Sequence, residues 1–435
     1  MPKTKVALYG CGTIGTGVAR ILLGEKGGLL RKMTSPIELA YVVDVRAEEI
    51  AQEIDFPASV EVTTELDAPL GDPDVGIVVE LIGGTDIAAR VVEKALRSGK
   101  DIVTANKALL AAHGQHLYAL AREVGKSIAF EASVAGGIPV VASMRDAMIG
   151  DRIQSVYGIV NGTCNYILTQ MTDRGVSYGE ALLEAQEKGY AEANPELDVE
   201  GHDSAHKLGV LARIGFGVEV QDNEIPREGV TNIEPQDLRY ARALGYTVKL
   251  LAIGIQREEG TELRVHPALL KHNHPLATIG GAYNAVCVHG ACAGEIMLTG
   301  LGAGRWPTAT AVVADVARLA LGTYQPCFRD FSQFGDVPEA RMIPSNELEM
   351  RYYFRLSCHD RPGVLAKVAG ILGEHDISIA SCMQQDQASH PEHYVPVVFM
   401  THQAKESEMN AALSKINALD SVDGADTRML RVQDI

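Results

Sequence analysis

Residues 5–23 are Lys-Val-Ala-Leu-Tyr-Gly-Cys-Gly-Thr-Ile-Gly-Thr-Gly-Val-Ala-Arg-Ile-Leu-Leu. The apolar run at 5–9 predicts a strand, and the apolar spacing at 18–23 predicts a helix. Between them stands Gly-x-Gly-x-x-Gly, which in this strand–loop–helix context is the dinucleotide-binding fingerprint. Glycine lets the backbone approach a pyrophosphate, and the helix N-terminus offers N–H groups to it. The stretch therefore predicts a Rossmann-type domain. Its predicted cofactor contacts are Gly10, Gly12, Thr13, Ile14 and Gly15.

The choice between NAD and NADP depends on the end of the second predicted strand, residues 37–43. Asp44 follows that strand, and a carboxylate there would accept hydrogen bonds from the ribose hydroxyls of NAD. Arg46, two residues further on, could instead pair with the 2′-phosphate of NADP. Because the two residues favour different cofactors, the sequence leaves NAD and NADP both open.

Further strands and helices continue the α/β pattern to residue 148. The apolar run 75–81 predicts a buried parallel strand. Residues 101–107 predict another strand, which ends in Thr-Ala-Asn-Lys. Because ligands bind at the carboxyl ends of such strands, Thr104 and Lys107 are candidate cofactor contacts, and Lys107 is also a candidate catalytic residue.

Two glycine-rich segments are candidate loops. A strand predicted at 127–131 runs into irregular backbone at 131–139, before a predicted helix at 140–148. Such a loop could turn several carbonyls onto one cation or simply connect strand to helix, and the residues alone favour the connection. The second segment, 300–304, is Gly-Leu-Gly-Ala-Gly and precedes a predicted helix at 310–321.

From about residue 150 the pattern changes to a second unit. Its first predicted strand leads into Asn161-Gly-Thr-Cys-Asn165. The Thr163 hydroxyl could meet a substrate carboxylate or cap a helix, and the sequence allows both. A polar, proline-containing connector is predicted at 323–348. The predicted strands, which suggest a second sheet able to carry a dimer contact, are 153–160, 248–255, 262–265 and 284–290.

Acidic residues and lysines are concentrated in residues 185–207, Ala-Gln-Glu-Lys-Gly-Tyr-Ala-Glu-Ala-Asn-Pro-Glu-Leu-Asp-Val-Glu-Gly-His-Asp-Ser-Ala-His-Lys. A helix is predicted from the Asn-Pro step to residue 215, which places Asp203 and Lys207 on one side of it. Asp198 lies roughly 140° away around such a helix. It can join the same site only from a lead-in loop or the N-cap. The alternative is an exposed acidic helix with an ordinary ion pair.

This segment resembles the signature of the homoserine dehydrogenases: Ala185-x3-Gly189-Tyr190-Ala191, then Asn194-Pro195-x2-Asp198-Val199-x-Gly201-x-Asp203-x3-Lys207. The resemblance implies that Lys207 donates a proton and that Lys107 reaches towards cofactor and substrate. It also implies a sodium ion on the backbone carbonyls of Glu131, Val134, Gly136 and Ile138. The implied substrate contacts are Glu192, Asp198, Asp203, Thr163, Gly189 and Tyr190, and the further implied cofactor contacts are Gly189, Gly302 and Gly304.

The C-terminal segment resembles an ACT module. Its predicted order is β-α-β-β-α-β, with Asp-Arg-Pro-Gly-Val-Leu at 360–365 opening the first helix. ACT modules pair and bind amino acids, so the resemblance implies threonine as effector, with contacts near 360–364 and 377–381. The alternative is a dimerisation appendage without a ligand. Because a polar connector separates two apolar segments, truncation after Ser345 is predicted to leave a folded, active enzyme.

Composition and charge argue against several classes of protein. A length of 435 residues suggests about three domains. The net charge of −17, without a basic stripe, argues against nucleic acid. Seven cysteines without a CxxC pair or secretory signal predict reduced thiols and a cytoplasmic protein. No apolar run approaches the roughly 18 residues of a membrane helix, and no zinc-type cluster appears.

The predicted fold is α/β: a Rossmann-type domain, an α+β catalytic and dimerisation domain, and a βαββαβ ACT domain. Their predicted bounds are 1–148 (with a return helix at about 308–340), 149–307 and 349–435. The implied reaction is the reversible NAD(P)H-dependent reduction of L-aspartate 4-semialdehyde to L-homoserine, in threonine, methionine and isoleucine biosynthesis. We expect a monofunctional homodimer or homotetramer. The alternatives are an oxidoreductase of another hydroxy or amino acid and a catalytically inactive amino-acid sensor.

Overall fold

The first unit of the computed structural model is a six-stranded parallel sheet with intervening helices. The structure describes residues 4–25, 28, 30–34, 36–384 and 394–435. The elements of this unit are β1 (Thr4–Tyr9), α1 (Thr13–Leu22), β2 (Ile37–Val43), α2 (Ala47–Glu53), β3 (Glu61–Thr63), α3 (Ala68–Gly71), β4 (Val75–Glu80), α4 (Asp86–Arg97), β5 (Asp101–Thr104), α5 (Lys107–Glu123), β6 (Ile128–Ala129) and α6 (Val140–Ala142). The strand order β3-β2-β1-β4-β5-β6 is that of the doubly wound dinucleotide-binding fold. The predicted Rossmann-type domain is confirmed.

The segment after β6 departs from the prediction. The strand predicted at 127–131 has only two residues and gives way to a 3₁₀ turn, Glu131–Ser133. The buried Glu131 carboxylate accepts hydrogen bonds from the N–H groups of Val141 and Ala142, at 2.9 and 2.8 Å, and this draws the loop back on itself. The helix predicted at 140–148 is a short α-helical turn that continues as a π-helix, Ser143–Ala147.

The second unit is an antiparallel sheet, β11-β10-β7-β8-β9, with helices packed against it. All four predicted strands are present, and the two at 248–255 and 262–265 extend to eleven residues each. The edge strand at 294–301 is an addition to the four predicted strands. The elements are β7 (Ile153–Ile159), α7 (Gly162–Arg174), α8 (Tyr178–Glu187), α9 (Glu196–Val199), α10 (His202–Phe216), α11 (Pro235–Ala243), β8 (Tyr246–Gln256), β9 (Thr261–Lys271), β10 (Tyr283–Gly290) and β11 (Gly294–Leu301).

Two helices, α12 (Arg305–Ala320) and α13 (Tyr324–Asp330), return the chain to the first unit. A Cβ on Gly17 of α1 would lie 2.9 Å from the Cβ of Ala309, so glycine there lets α1 and α12 pack closely. The return segment predicted at 308–340 is thus two helices that end at residue 330. The connector predicted as polar also supplies buried aromatic rings. Tyr324, Phe328 and Phe334 pack with Tyr118 and Phe130 of the first unit.

The C-terminal unit has the predicted βαββαβ order with one additional two-residue strand. Its elements are β12 (Glu349–His359), α14 (Val364–Glu374), β13 (Ile379–Gln384), β14 (Tyr394–Thr401), β15 (Ala404–Lys405), α15 (Glu406–Asn417) and β16 (Val422–Val432). Between α14 and β13 the chain turns through a positive φ of 54° at Asp376, and β13 begins at Ile379.

This unit is not separated from the catalytic sheet. β16 pairs in parallel with β9, Arg431 opposite Ala268 and Val432 opposite Leu269, so one sheet runs through both units. The C-terminal unit has an apolar cluster of its own. However, the large cluster that runs through the first and second units also contains Tyr353, Val398, Met400, Leu430 and Val432. The predicted apolar core of the C-terminal segment is therefore present, but this unit also shares apolar contacts and a sheet with the rest of the chain. No helix among the described residues is long and apolar enough to span a membrane.

Candidate active site

A cavity of about 490 Å³ opens where the Rossmann-type unit meets the catalytic sheet. This volume is typical of a small-molecule site. The cavity joins the carboxyl ends of parallel strands to the start of α7 and to both glycine-rich segments. Its polar and glycine lining includes Lys107, Ser133, Gly136, Asn161, Gly162, Thr163, Lys188, Gly189, Tyr190, Asp198, Asp203, Lys207, Asn284, Gly302, Gly304 and Thr308.

Asp203 lies between two lysines in this cavity. Its Oδ2 is 2.7 Å from Lys207 Nζ and its Oδ1 is 3.1 Å from Lys107 Nζ. Burial alone would raise the pKa of Asp203, but the two ammonium groups outweigh burial and hold that pKa well below its ordinary value. Asp203 is therefore a carboxylate at neutral pH and forms an ion pair with each lysine.

Lys207 is placed to deliver a proton into the cavity. Its Nζ donates to the backbone oxygen of Val160 at 2.6 Å as well as to Asp203. An ammonium group has three N–H donors, so one remains after these two bonds. Lys107 comes from the other unit as the first residue of α5, and Asn106 caps that helix by accepting a hydrogen bond from Leu109 N–H at 3.0 Å. Both lysines stand where the sequence predicted.

Asp198 joins the site because the helix predicted to run to residue 215 is interrupted. Gly201 has φ +83°, and it separates α9, which carries Asp198, from α10, which carries Asp203. The amide of Asn161 bridges the two carboxylates, donating to Asp198 Oδ1 at 2.7 Å and to Asp203 Oδ2 at 2.9 Å. Burial raises the pKa of Asp198. Of the two positions that the sequence allowed, Asp198 thus occupies the lead-in to α10, in a short helix of its own, whereas the N-cap of α10 is Gly201.

The start of α7 resolves an alternative left open for Thr163. Asn161, not Thr163, caps the helix: its Oδ1 accepts a hydrogen bond from Cys164 N–H at 2.9 Å. The Thr163 hydroxyl donates a hydrogen bond to Tyr190 O at 2.6 Å and lies 3.1 Å from Asp198 Oδ2. It therefore links the signature segment to α7 at the cavity wall.

Glu192 and Thr104, which were predicted to contact substrate and cofactor, do not line the cavity. The side chain of Glu192 is exposed and does not line it. Thr104 is buried, and its hydroxyl donates to Glu80 at 2.6 Å and accepts from Asn106 N–H at 3.0 Å. Sequence reasoning missed Glu80, whose carboxylate also accepts from Ile82 N–H at 2.9 Å and ties together the loops after β4 and β5. Its place at the end of an apolar strand was the available signal.

Sequence reasoning also missed Lys188 and Asn284 as cavity residues. Lys188 Nζ lies 2.8 Å from the Tyr166 hydroxyl and 2.7 Å from Glu184 Oε1. A Cβ on Gly302 would lie 1.9 Å from the amide nitrogen of Asn284, so this loop packs directly on that side chain. Lys188 falls at an unspecified position of the signature, so only the structure reveals it.

The glycine loop at the other end of the crevice fits a pyrophosphate. Gly10 has φ +90°, and a Cβ there would lie 2.4 Å from Leu81 O. Nothing lies within 4 Å of a Cβ built on Gly12, and no side chain caps the start of α1. The open backbone and free N–H groups suit an anion. Asp44 accepts hydrogen bonds from Cys11 N–H at 2.7 Å and Arg46 N–H at 2.9 Å, which brings the predicted ribose-side residues to the loop.

The predicted cation loop packs against the second glycine loop. Ala135 and Gly136 have φ of +54° and +50°, and a Cβ on Gly136 would lie 2.4 Å from Gly302 O. Gly137 N–H also donates to Leu301 O at 3.2 Å. Within the described ranges, His, Cys, Asp and Glu side chains form no metal-binding group of three or more.

A Rossmann-type nucleotide loop that opens towards a lysine–carboxylate–lysine cluster defines an NAD(P)-dependent oxidoreductase. Family models for the homoserine dehydrogenase NAD-binding domain, for homoserine dehydrogenase and for the ACT domain match residues 10–131, 139–317 and 352–420. The chain belongs to the homoserine dehydrogenase family, as the signature indicated. The C-terminal unit is an ACT domain.

Named relatives and solved structures agree with this assignment. The homoserine dehydrogenase of Pseudomonas aeruginosa is 39% identical over 439 aligned positions and covers all of both chains. That of Bacillus subtilis is 38% identical, over 97% of this chain and 96% of the relative. The crystal structure of a homoserine dehydrogenase from Thiobacillus denitrificans has a TM-score of 0.90 at 38% identity, over 99% and 98% of the two chains. A hyperthermophilic archaeal homoserine dehydrogenase in complex with NADPH has a TM-score of 0.62 at 25% identity, over 74% and 98%.

Proposed function

We propose that this chain catalyses the reversible reduction of L-aspartate 4-semialdehyde to L-homoserine with NADH or NADPH, in threonine, methionine and isoleucine biosynthesis. The observation that carries the proposal is the buried Asp203 carboxylate held between Lys207 and Lys107 in a cavity next to a nucleotide loop. The retained ion-paired lysines argue against the alternative of an inactive sensor.

The proposed chemistry uses Lys207 as the general acid. The nicotinamide cofactor, when bound, supplies the hydride. The remaining N–H of Lys207 gives a proton to the alkoxide oxygen that forms, and takes it back in the direction of homoserine oxidation. Asp203 stabilises the charged lysine, and Lys107 adds a second positive charge beside the reacting oxygen.

The cavity offers complementary groups to a zwitterionic substrate. Asp198 and Asp203 suit the ammonium group. The first turn of α7 presents the N–H groups of Gly162 and Thr163 at the cavity wall, which suit the carboxylate. Glu192 is left out of the proposed contacts because its side chain lies outside the cavity. Gly189 and Tyr190 close the same wall.

We propose that Asp44 and Arg46 together set the cofactor preference. Asp44 is tied to the glycine loop, while the Arg46 side chain is half exposed and lies 3.7 Å from Asp44 through Nε. It could leave that contact for a 2′-phosphate. Initial rates with NADH and NADPH would measure the preference, and Arg46→Ala is expected to weaken NADPH more than NADH.

We also propose a structural sodium ion held by the backbone carbonyls of Glu131, Val134, Gly136 and Ile138. The support is the turned backbone at 135–136 and its packing on Gly302. Such an ion would fix the second glycine loop beside the cofactor. Thermal unfolding in sodium chloride against choline chloride tests this, and equal midpoints would refute it.

For regulation, we propose threonine bound to the ACT domain of a homodimer or homotetramer. A groove of about 330 Å³ there is lined by the 358–365 turn and by β14. Gly363, with φ +93°, starts α14 and leaves its first N–H groups uncapped by a side chain, which suits a carboxylate. The predicted contact range 377–381 ends in β13, outside this lining.

All seven cysteines are free thiols, which supports a cytoplasmic location.

The deciding experiment is oxidation of NADH and of NADPH with the semialdehyde, with and without threonine. Turnover that is specific for this substrate supports the proposed reaction. Turnover with a different hydroxy acid would assign another substrate, and no turnover would support the sensor. Inhibition by threonine would support the proposed effector, whereas insensitivity would leave the ACT domain as an assembly element.

A further inference from the structure

Residues 228–237 lie between the ACT domain and the active site. On one side, three arginines of the ACT domain, Arg355, Arg428 and Arg431, form ion pairs with carboxylates of this segment. We call them the arginine clamp. The pairs are Arg431–Glu228 at 2.8 Å, Arg428–Glu234 at 3.1 Å, Arg355–Glu234 at 3.0 Å and Arg355–Asp237 at 2.8 Å.

The deepest of these contacts is fully buried. Arg355 is 0% exposed and Asp237 is 1% exposed. Arg355 holds both oxygens of Asp237, at 2.8 and 3.2 Å, and the Tyr353 hydroxyl donates to the same carboxylate at 2.9 Å. Breaking a buried pair leaves an uncompensated charge, so this joint between the two units is fixed.

On its other side, the same segment holds the turn that carries Asp198. Val230 N–H donates to Val199 O at 2.9 Å, and the Thr231 hydroxyl donates to Glu200 Oε1 at 3.0 Å. The backbone of Gly229 is pressed onto this turn. A Cβ there would lie 2.3 Å from Val199 O and 2.8 Å from the Cα of Glu200.

We propose that Gly229 and Thr231 are positioning residues for Asp198, and that the ACT domain holds them in place through the arginine clamp. Val199 directly follows Asp198, and in the described part of the chain the Asp198 carboxylate accepts hydrogen bonds from the side chains of Asn161 and Thr163. A displacement of the segment therefore moves the carboxylate that receives the substrate ammonium. A cavity of about 460 Å³ between the segment and β16 leaves room for such movement. The inference rests on the proposed role of Asp198 in substrate binding.

Gly229→Ala tests the inference without removing a charge. The φ of Gly229 is outside the left-handed region, so alanine strains the contacts with Val199 and Glu200 and not the backbone conformation of residue 229. The KM for homoserine should rise on the order of tenfold to hundredfold, while the KM for the cofactor stays within about twofold, because misplacement by an ångström has effects of this size. Gly370→Ala in α14 is the matched control, since nothing lies within 4 Å of the added Cβ.

A second set of variants keeps the test sound if Gly229→Ala does not fold. Thr231→Val removes the hydroxyl that holds Glu200, and Thr231→Ser restores it. The valine variant should raise the homoserine KM and the serine variant should not. Glu228→Gln, which loosens the clamp at Arg431, should move the same KM in the same direction by a smaller factor.

Asp198→Asn distinguishes a failure of the proposed substrate contact from a failure of the positioning inference. An unchanged homoserine KM in that variant would refute the proposed role of Asp198 itself. A raised KM in Asp198→Asn, with Gly229→Ala and Thr231→Val both behaving like Gly370→Ala, would overturn the positioning inference alone. If Gly229→Ala and Thr231→Val moved the homoserine KM but Glu228→Gln did not, the link to the ACT domain would be overturned.

Discussion

Replacing Lys207 by alanine should stop turnover while leaving the site assembled. Asp203 would keep Lys107 at 3.1 Å and the Asn161 amide at 2.9 Å, so its buried carboxylate is not left unpaired. Removal of a positioned general acid typically lowers the rate by roughly 10²–10⁴-fold. That corresponds to about 3–5 kcal/mol of transition-state stabilisation. We expect kcat to fall by this factor and cofactor affinity to change little.

The assay combines steady-state kinetics with a binding measurement. Trp306, the only tryptophan of the chain, stands in the first turn of α12 beside the second glycine loop, so its fluorescence can report cofactor binding. Lys207→Arg keeps a positive charge beside Asp203 but does not release a proton at neutral pH, and should be as slow as the alanine variant. Lys188→Ala removes a lysine from the same cavity and should retain most activity.

A wild-type-like kcat in Lys207→Ala would refute the assignment and move the proton donor to Lys107 or to water. Equal losses in Lys207→Ala and Lys188→Ala would instead show that the summed positive charge of the cavity matters, not the transfer of a proton from one atom.

Three further predictions concern Asp203, the C-terminal unit and the buried Lys249. Asp203→Asn should raise the homoserine KM and lower kcat together. Each lost charged hydrogen bond should remove about 1.5–3 kcal/mol of stabilisation, and unchanged kinetics would mean that Asp203 only forms an ordinary ion pair. Truncation after Ser345 should give an aggregating or unfolded protein, because it exposes part of the edge of β9 and removes Arg355, the ion-pair partner of Glu234 and Asp237; a monodisperse, fully active product would refute this. Burial lowers the pKa of Lys249 to about 8 in the folded protein, whereas its ordinary pKa is 10.5. Below pH 8 the buried lysine is charged, which destabilises the folded state. This destabilisation disappears as the pH rises towards 10.5, where the lysine of the unfolded chain also loses its proton. Unfolding free energies at pH 7 and pH 10 should therefore differ more in the wild type than in Lys249→Met, by up to about 3 kcal/mol.

The Rossmann-type unit could be predicted because its signals are local. The strand, Gly-x-Gly-x-x-Gly and helix lie within residues 5–23, and Gly10 shows the positive φ and close approach that exclude any other residue there. The cluster of Asp203 and Lys207 was equally local, one helical turn apart. Lys107 came from a strand end, a position that topology rather than spacing brings to the crevice.

The missed features depend on contacts between distant segments. Glu192 was placed at the substrate by resemblance, but its side chain turns outward, and no pattern in the sequence records that direction. Thr104 was assigned to the cofactor because it ends a strand. Its hydroxyl is instead committed to Glu80, 24 residues earlier in the chain. Polar residues at strand ends can face the ligand or one another, and only the packed sheet decides between them.

The contacts between the ACT domain and the catalytic sheet could not be predicted for the same reason. A two-residue parallel pairing between β16 and β9 leaves no trace in composition, and Arg355 in a strand is indistinguishable from an exposed arginine until Asp237 is placed beside it. An antiparallel sheet that ended at β9 would present an unpaired edge to solvent. Here β16 pairs with part of that edge, at Ala268 and Leu269, and the clamp fixes the segment against which the Asp198 turn rests. The polar connector at 323–348 therefore marks a change of fold along the chain, while the sheet continues across it.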